Sequence, residues 1–166
     1  MSSTTTPSAL DALTAGTWTI DASHSAVNFV ARHLMVAKVR GRFADFAGEI
    51  TVGENPLDSK VSATVQTASI TTNDEGRDGH LKNADFFESD TYPTMTFVST
   101  GITPDGSDFK LVGDLTIKGV TKSVSFDLEF EGVATDPWGN TKAGFTAETE
   151  INRKDFGLDF HVALET

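Results

Sequence analysis

Residues 109–131 read FKLVGDLTIKGVTKSVSFDLEFE, and their pattern decides the fold class. Phe109, Leu111, Gly113, Leu115 and Ile117 alternate with Lys110, Asp114, Thr116 and Lys118. Past Gly119, Val124, Phe126, Leu128 and Phe130 alternate with Ser123, Ser125, Asp127, Glu129 and Glu131. Successive side chains of a strand point to opposite faces, so each run presents one apolar face and one polar face. Two such runs joined by a tight turn at Gly119 form an antiparallel hairpin with one side buried and one side in water.

The same reading extends outward. Toward the C-terminus, Asp136-Pro137-Trp138-Gly139-Asn140 has the chemistry of a loop, and Trp138 is expected to plug a barrel end. Phe145, Ala147, Thr149 and Ile151 then share an inward face opposite Glu148 and Glu150. Toward the N-terminus, Pro104-Asp105-Gly106 turns the chain, and Met95, Phe97 and Ser99 share a face of the strand before it. Residues 61–70 alternate, and Asn55-Pro56-Leu57-Asp58 is a turn. Residues 40–52 read as one strand with Phe46, Gly48, Ile50 and Val52 on one face, and with Gly41 and Gly48 as bends or bulges where it curls. Residues 34–39 form an apolar connection, and Val27, Phe29 and Ala31 share a face of the strand before it. Residues 1–15, rich in Ser and Thr, are expected to be a disordered tail, which leaves 16–166 as the folded domain. The expectation is an all-β fold: an up-and-down antiparallel β-barrel of about eight strands, with a two-sheet sandwich as the alternative.

Only residues 70–100 depart from this pattern. Leu81, Ala84 and Phe87 fall at three-residue steps, which is helical spacing. Asn73 or Asp74 can cap a helix there, while Gly76 and Gly79 would each cost it about 1 kcal/mol. The reading is a short helical insertion around residues 74–88, broken near Gly79 and finished before Tyr92-Pro93, that covers a barrel mouth.

Composition narrows the function. With 13 basic and 24 acidic side chains the formal charge is -11, which repels nucleic acid and anionic membrane surfaces. There is no cysteine for a disulfide or a thiolate, and the four histidines show no metal-ligand spacing. No stretch approaches the run of about 20 apolar residues needed to span a membrane, so no stable membrane insertion is expected. The first residues lack the basic and apolar regions of a signal peptide, and a cytoplasmic location is expected. Twelve phenylalanines against a single tyrosine suit greasy contents.

Six stretches, WTIDASHSAVNFVARHL, GRFADFAGEI, RDGHLKNADFFESDTYPTMTFVST, GDLTIKGVTKSVSFDLEF, DPWGNTKAGF and INRKDFG, occur in that order between Trp18 and Gly157. Together they resemble the YceI-like family. The resemblance implies a lipocalin-like barrel with an apolar tunnel, no known catalytic residues, and a polyisoprenoid or quinone-like lipid as the bound partner; no cofactor or metal is expected. It also implies one more strand after the INRKDFG stretch. The chain stops at Thr166 and His161–Leu164 is short for that strand, so either the sequence is truncated or an open edge is left beside the first strands, and an open edge invites pairing with a second copy as a homodimer.

An isoprenoid tail needs only apolar wall, so its site should look like ordinary core. The tunnel candidates are Phe29, Phe46, Phe97, Leu115, Phe126, Leu128, Phe145 and Phe156. A polar head group needs donors, and Arg32, His33, Lys38, Arg40 and Arg42 reverse the local charge of an acidic chain. Asp21, His24 and Ser25 suggest a catalytic set, but adjacent strand residues face opposite ways, so a turn-capping role is expected. Arg77, Asp78 and His80 are expected to pin the helical insertion, and residues 152–155 to end a strand, with Arg153 paired to a carboxylate near the mouth. The leading function is binding, carriage or sequestration of such a lipid. The alternatives are an enzyme acting on a lipophilic substrate in the same cavity, and a stress-response protein whose barrel is filled by its own side chains.

Overall fold

The structure, a computed structural model, describes residues 13–33 and 37–158. The hairpin that decided the fold class is present as β8 (Asp108–Ile117) and β9 (Val120–Thr135), with Leu111 opposite Phe126 and Phe109 opposite Leu128. Lys118 and Gly119 both adopt positive φ, at 52° and 75°, the two-residue turn whose twist matches that of the flanking strands. β7 (Thr94–Asp105) and β10 (Thr141–Glu148) pair on either side of the hairpin, and all three junctions are antiparallel.

The first half of the chain differs from its sequence reading in one respect: its long strands are kinked. Residues 40–52, expected as one strand, fall into β3 (Ala37–Phe43) and β4 (Phe46–Val52), separated by Ala44 and Asp45. The alternation of residues 61–70 ends early, as β5 (Lys60–Gln66), a 3-10 turn at Thr67–Ser69 and the two-residue β6 (Ile70–Thr71). Ahead of these, β1 (Gly16–Thr19) and β2 (Val27–His33) stand on either side of Asp21 and a 3-10 turn at Ala22–His24. The expected apolar connection of 34–39 is therefore partly strand, and residues 34–36 lie outside the described residues. The kinks lie side by side and share backbone hydrogen bonds: Ala44 N donates to Ser69 O at 3.1 Å, and Gln66 N donates to Asp45 O at 2.9 Å.

Each kink moves the strand from one sheet to another. Below the kinks a seven-stranded sheet runs β1-β4-β5-β7-β8-β9-β10, and above them a three-stranded sheet runs β2-β3-β6. Joined through their kinks, the strands form one antiparallel meander of seven long strands, in keeping with the up-and-down expectation. The seven-stranded sheet curls into a half-barrel. Trp18 of its first strand and Ala143 and Phe145 of its last pack against the same core cluster, and Lys142 Nζ of β10 lies 2.5 Å from Asp21 Oδ2, just past β1.

Gly41 and Gly48 are not bulges, because the ladders run through both without a register shift. They make room for neighbours: the Phe29 ring covers Gly41, and Ile20 Cδ1 lies 2.5 Å from where a Gly48 Cβ would stand. The register shifts fall elsewhere, between Ser99 and Gly101 of β7 and between Gly144 and Phe145 of β10.

The helical insertion is present as α1 (Glu75–Leu81), followed by hydrogen-bonded turns as far as Tyr92. Asp74 caps it by accepting from Arg77 N at 3.0 Å. The helix runs through Gly79 without the expected break, and a polar knot on the buried Thr72 offsets the two glycines. Asp78 Oδ1 accepts from Thr72 N at 2.8 Å and from Thr72 Oγ1 at 2.6 Å. Arg77 donates to Thr72 Oγ1 at 2.8 Å and to Thr72 O at 3.0 Å. His80 Nε2 lies 2.9 Å from Asp85 Oδ2. Leu81 and Phe87 pack on Phe43, Val65 and Ile70, while Phe86 and Phe87 pack on Ile117, Phe156 and Leu158, so the insertion closes one end of the half-barrel.

Candidate functional site

The inward faces of the curled sheet border a cavity of about 2630 Å³. Binding pockets for small molecules run to about 1,000 Å³, so this one suits a long occupant. Its wall is built by the alternation that defines the strands. Phe97 of β7, Leu115 of β8, Phe126 and Leu128 of β9 and Phe145 of β10 project into it, joined by Phe29 of β2 and Phe46 of β4. Phe97 and Phe126 meet edge to face at 5.1 Å, and Phe130 and Phe145 tilt together at 5.2 Å. Of the tunnel candidates only Phe156 lies off the wall. It is 2% exposed, in the 3-10 turn Arg153–Phe156, where it packs on Ile117 and Leu158 as closed core.

The basic run on β2 and β3 divides by strand parity. Val39 and Phe43 face the cavity, and Lys38, Arg40 and Arg42 alternate with them as exposed side chains off its wall. Arg32 and His33 hold backbone positions opposite Lys38 and Ala37, and their side chains lie outside the described residues. Among the described residues the wall carries the cations Arg77, Lys142 and Arg153 and the anions Asp21, Glu131 and Glu150. Arg153 donates to Leu158 O and lies 5.8 Å over the Phe86 ring, which His80 meets edge-on at 5.1 Å.

Asp21 ties the first strand of the curled sheet to the last. Its Oδ1 accepts from Ser23 N at 3.1 Å and Ser23 Oγ at 2.6 Å, and its Oδ2 lies 2.5 Å from Lys142 Nζ and 2.8 Å from His24 Nδ1. The Lys142 ammonium, with Ser23 and His24, holds the Asp21 carboxyl well below the usual carboxylate range, and the same contact raises Lys142. The geometry is not that of a triad. A triad base uses one ring nitrogen for the carboxylate and the other for the nucleophile. Here Ser23 Oγ, at 3.1 Å, approaches the same Nδ1 that faces Asp21. Asp21 caps the 3-10 turn, as the sequence suggested.

Two loop readings change. Trp138 does not plug a barrel end: it is 83% exposed, because Asp136 closes the loop and turns the indole outward. Residues 152–155 belong to a 3-10 turn after β10 rather than to the end of a strand. Among the described residues no group of three or more His, Asp or Glu side chains is placed to hold a metal ion, and no helix is long and apolar enough to cross a membrane. Residues 1–12 and 159–166, which contain most of the expected tail and the short His161–Leu164 stretch, lie outside the described residues.

The YceI-like domain model matches residues 18–166. Protein YceI of Escherichia coli is 44% identical over 139 residues, covering 83% of this chain and 73% of that protein. Among solved structures, BcnA of Burkholderia cenocepacia superposes with a TM-score of 0.72 at 26% identity, over 86% of each chain. A domain of Saccharophagus degradans described as polyisoprenoid-binding and implicated in plant cell wall breakdown superposes with a TM-score of 0.57 at 20% identity, over 72% of this chain and 69% of that one, a likeness of fold.

Proposed function

The chain belongs to the YceI-like domain family, and from that premise we propose that it binds and carries a long-chain polyisoprenoid or a similar amphipathic lipid, such as an isoprenoid quinone. The observation that carries this reading is the cavity itself: about 2630 Å³, walled by Phe29, Phe46, Phe97, Phe126, Leu128 and Phe145. Removing apolar surface from water yields roughly 25 cal/mol per Å², so a chain of isoprene units gains affinity with length without any special side chain. Leu115 completes that wall. Arg77, Lys142 and Arg153 are the cations in the wall, and they are better placed for a polar head than Lys38, Arg40 and Arg42. Binding is favoured over catalysis because the polar wall groups with resolved roles are tied into structure: Asp21 in a cap and an ion pair, Arg77 in the Thr72 knot. The size of the cavity likewise argues against a barrel filled by its own side chains.

The test is native mass spectrometry of the purified protein, followed by organic extraction. The expected result is an added mass that fragments at isoprene spacing and that returns when stripped protein is offered a prenyl phosphate or a quinone. A bare-chain mass with no uptake of either compound overturns the proposal.

A further inference from the structure

Trp138 is the most exposed large apolar side chain among the described residues, at 83%, and its loop is made to keep it there. Asp136 Oδ1 accepts from Trp138 N and from Asn140 N, each at 2.9 Å. Asp136 N donates to Asn140 O at 2.8 Å, and Gly139 N donates to Asp136 O at 3.0 Å, with Gly139 at φ 83°. Four hydrogen bonds within five residues hold the backbone on both sides of the indole. Its exposure belongs to an ordered turn.

The loop stands beside the cavity. Asp136 Oδ2 lies 3.9 Å from Lys142 Nζ, Lys142 is tied to Asp21, and both Lys142 and Asp21 are cavity wall. Its charge also differs from that of the chain. Pro137, Trp138, Gly139 and Asn140 are uncharged, and Lys142 stands between Asp21 at 2.5 Å and Asp136 at 3.9 Å, so the loop and these neighbours carry a single net negative charge in a chain of -11.

We propose that this loop docks the protein transiently on an uncharged, zwitterionic lipid bilayer, with the Trp138 indole at the headgroup level and the cavity wall beside the surface. An indole suits that boundary because its body is apolar and its N–H can donate to headgroup oxygens. An anionic surface is the wrong partner, because the field of the chain opposes approach. The docking rests on the loop alone; that it serves cargo exchange rests on the carrier reading above.

The experiment compares the full chain with Trp138→Ser on vesicles of phosphatidylcholine, on vesicles containing phosphatidylserine, and in vesicle-free buffer. Co-flotation is measured together with quenching of tryptophan emission by brominated phosphatidylcholine. The expected result is flotation and quenching on phosphatidylcholine, weaker binding to phosphatidylserine, and a loss of about tenfold or more in Trp138→Ser, on the scale of an interfacial tryptophan anchor. Binding unchanged in Trp138→Ser, absent from phosphatidylcholine, or stronger on phosphatidylserine overturns the proposal. So does a concentration-dependent blue shift and dimer in vesicle-free buffer, which would assign the indole to a second copy of the chain. Extractable lipid is measured on the same samples. Retained cargo with no flotation sinks the docking and spares the carrier reading, and the reverse result separates them the other way.

Discussion

β7, β8 and β9 run for 12, 10 and 16 residues within one sheet, whereas each of the first three long strands breaks at mid-length and changes sheet. Composition does not account for the difference, because both halves alternate. What separates them is the partner of each mid-strand backbone group. Between β8 and β9 the ladder runs without a register shift from Phe109 opposite Leu128 to Ile117 opposite Val120, and the result is a continuous wall. In the first half Thr67 turns its amide and its hydroxyl to Pro93 O and Tyr92 O, and Asp21 folds back to cap its own turn. The kinked strands therefore fold over as a second, small sheet. A cavity needs both a wall and something bent across it.

The most damaging way to break this comparison is Phe43→Ala. The Phe43 ring is 4% exposed and packs 5.6 Å from Phe29 and 5.7 Å from Phe87, so it joins the small sheet to the insertion. Its removal is expected to cost about 3–5 kcal/mol in denaturant unfolding. Hydrogen exchange should speed up in residues 27–43 and 75–87 while the β8–β9 hairpin stays protected. Equal acceleration in all three would show that wall and roof are one cooperative unit. Thr67→Val should cost less, about 1–3 kcal/mol, because it removes the hydroxyl donor to the Tyr92 carbonyl, while the Thr67 amide still donates to Pro93 O and no ring is lost. Its exchange defect should be confined to residues 66–72 and 92–94, and a defect reaching β9 would contradict the kink as a local device.

The smallest effect is expected at the seam. Asp21 has its carboxyl lowered from an ordinary 3.8, so its stabilising contribution is present above that value and lost only as the pH falls through the lower, folded one. Lys142 is raised, so its share is present below its ordinary 10.5 and lost as the pH rises through the raised value. The tie should therefore hold from about pH 4 to pH 10, and Asp21→Asn should loosen residues 141–145 at neutral pH with little change in global stability. A carboxyl titration midpoint for Asp21 at 3.8 or above would show that the contact is not made in solution.

How much of this was legible in the sequence follows from how far each cause acts. The hairpin of residues 109–131 was readable because a period of two is a local signal and its turn lies inside it. The kinks were not, because the groups that bend residue 67 belong to residues 92 and 93, and nothing in the alternation of 61–70 announces them. The candidates on strands reach the cavity wall by parity, and Phe156 lies off it because it sits in a 3-10 turn, where parity has no meaning. Lys38, Arg40 and Arg42 stood out by charge, but Val39 and Phe43 already claimed the inward parity of that strand. Trp138 misled in the opposite sense. Hydrophobicity argued for burial, and a carboxylate two residues earlier holds it in water.

The cavity has one more consequence. Protein interiors are packed as densely as organic crystals, and under the carrier reading a cargo seated against this half-open, apolar-walled cavity of about 2630 Å³ would bring its lining to that density. Stability then becomes a property of the lipid supply: ligand at a hundred times its dissociation constant adds about 2.7 kcal/mol to the folded state. Quality control in a cell removes the less stable form first, so the abundance of such a protein would follow how much lipid there is to carry.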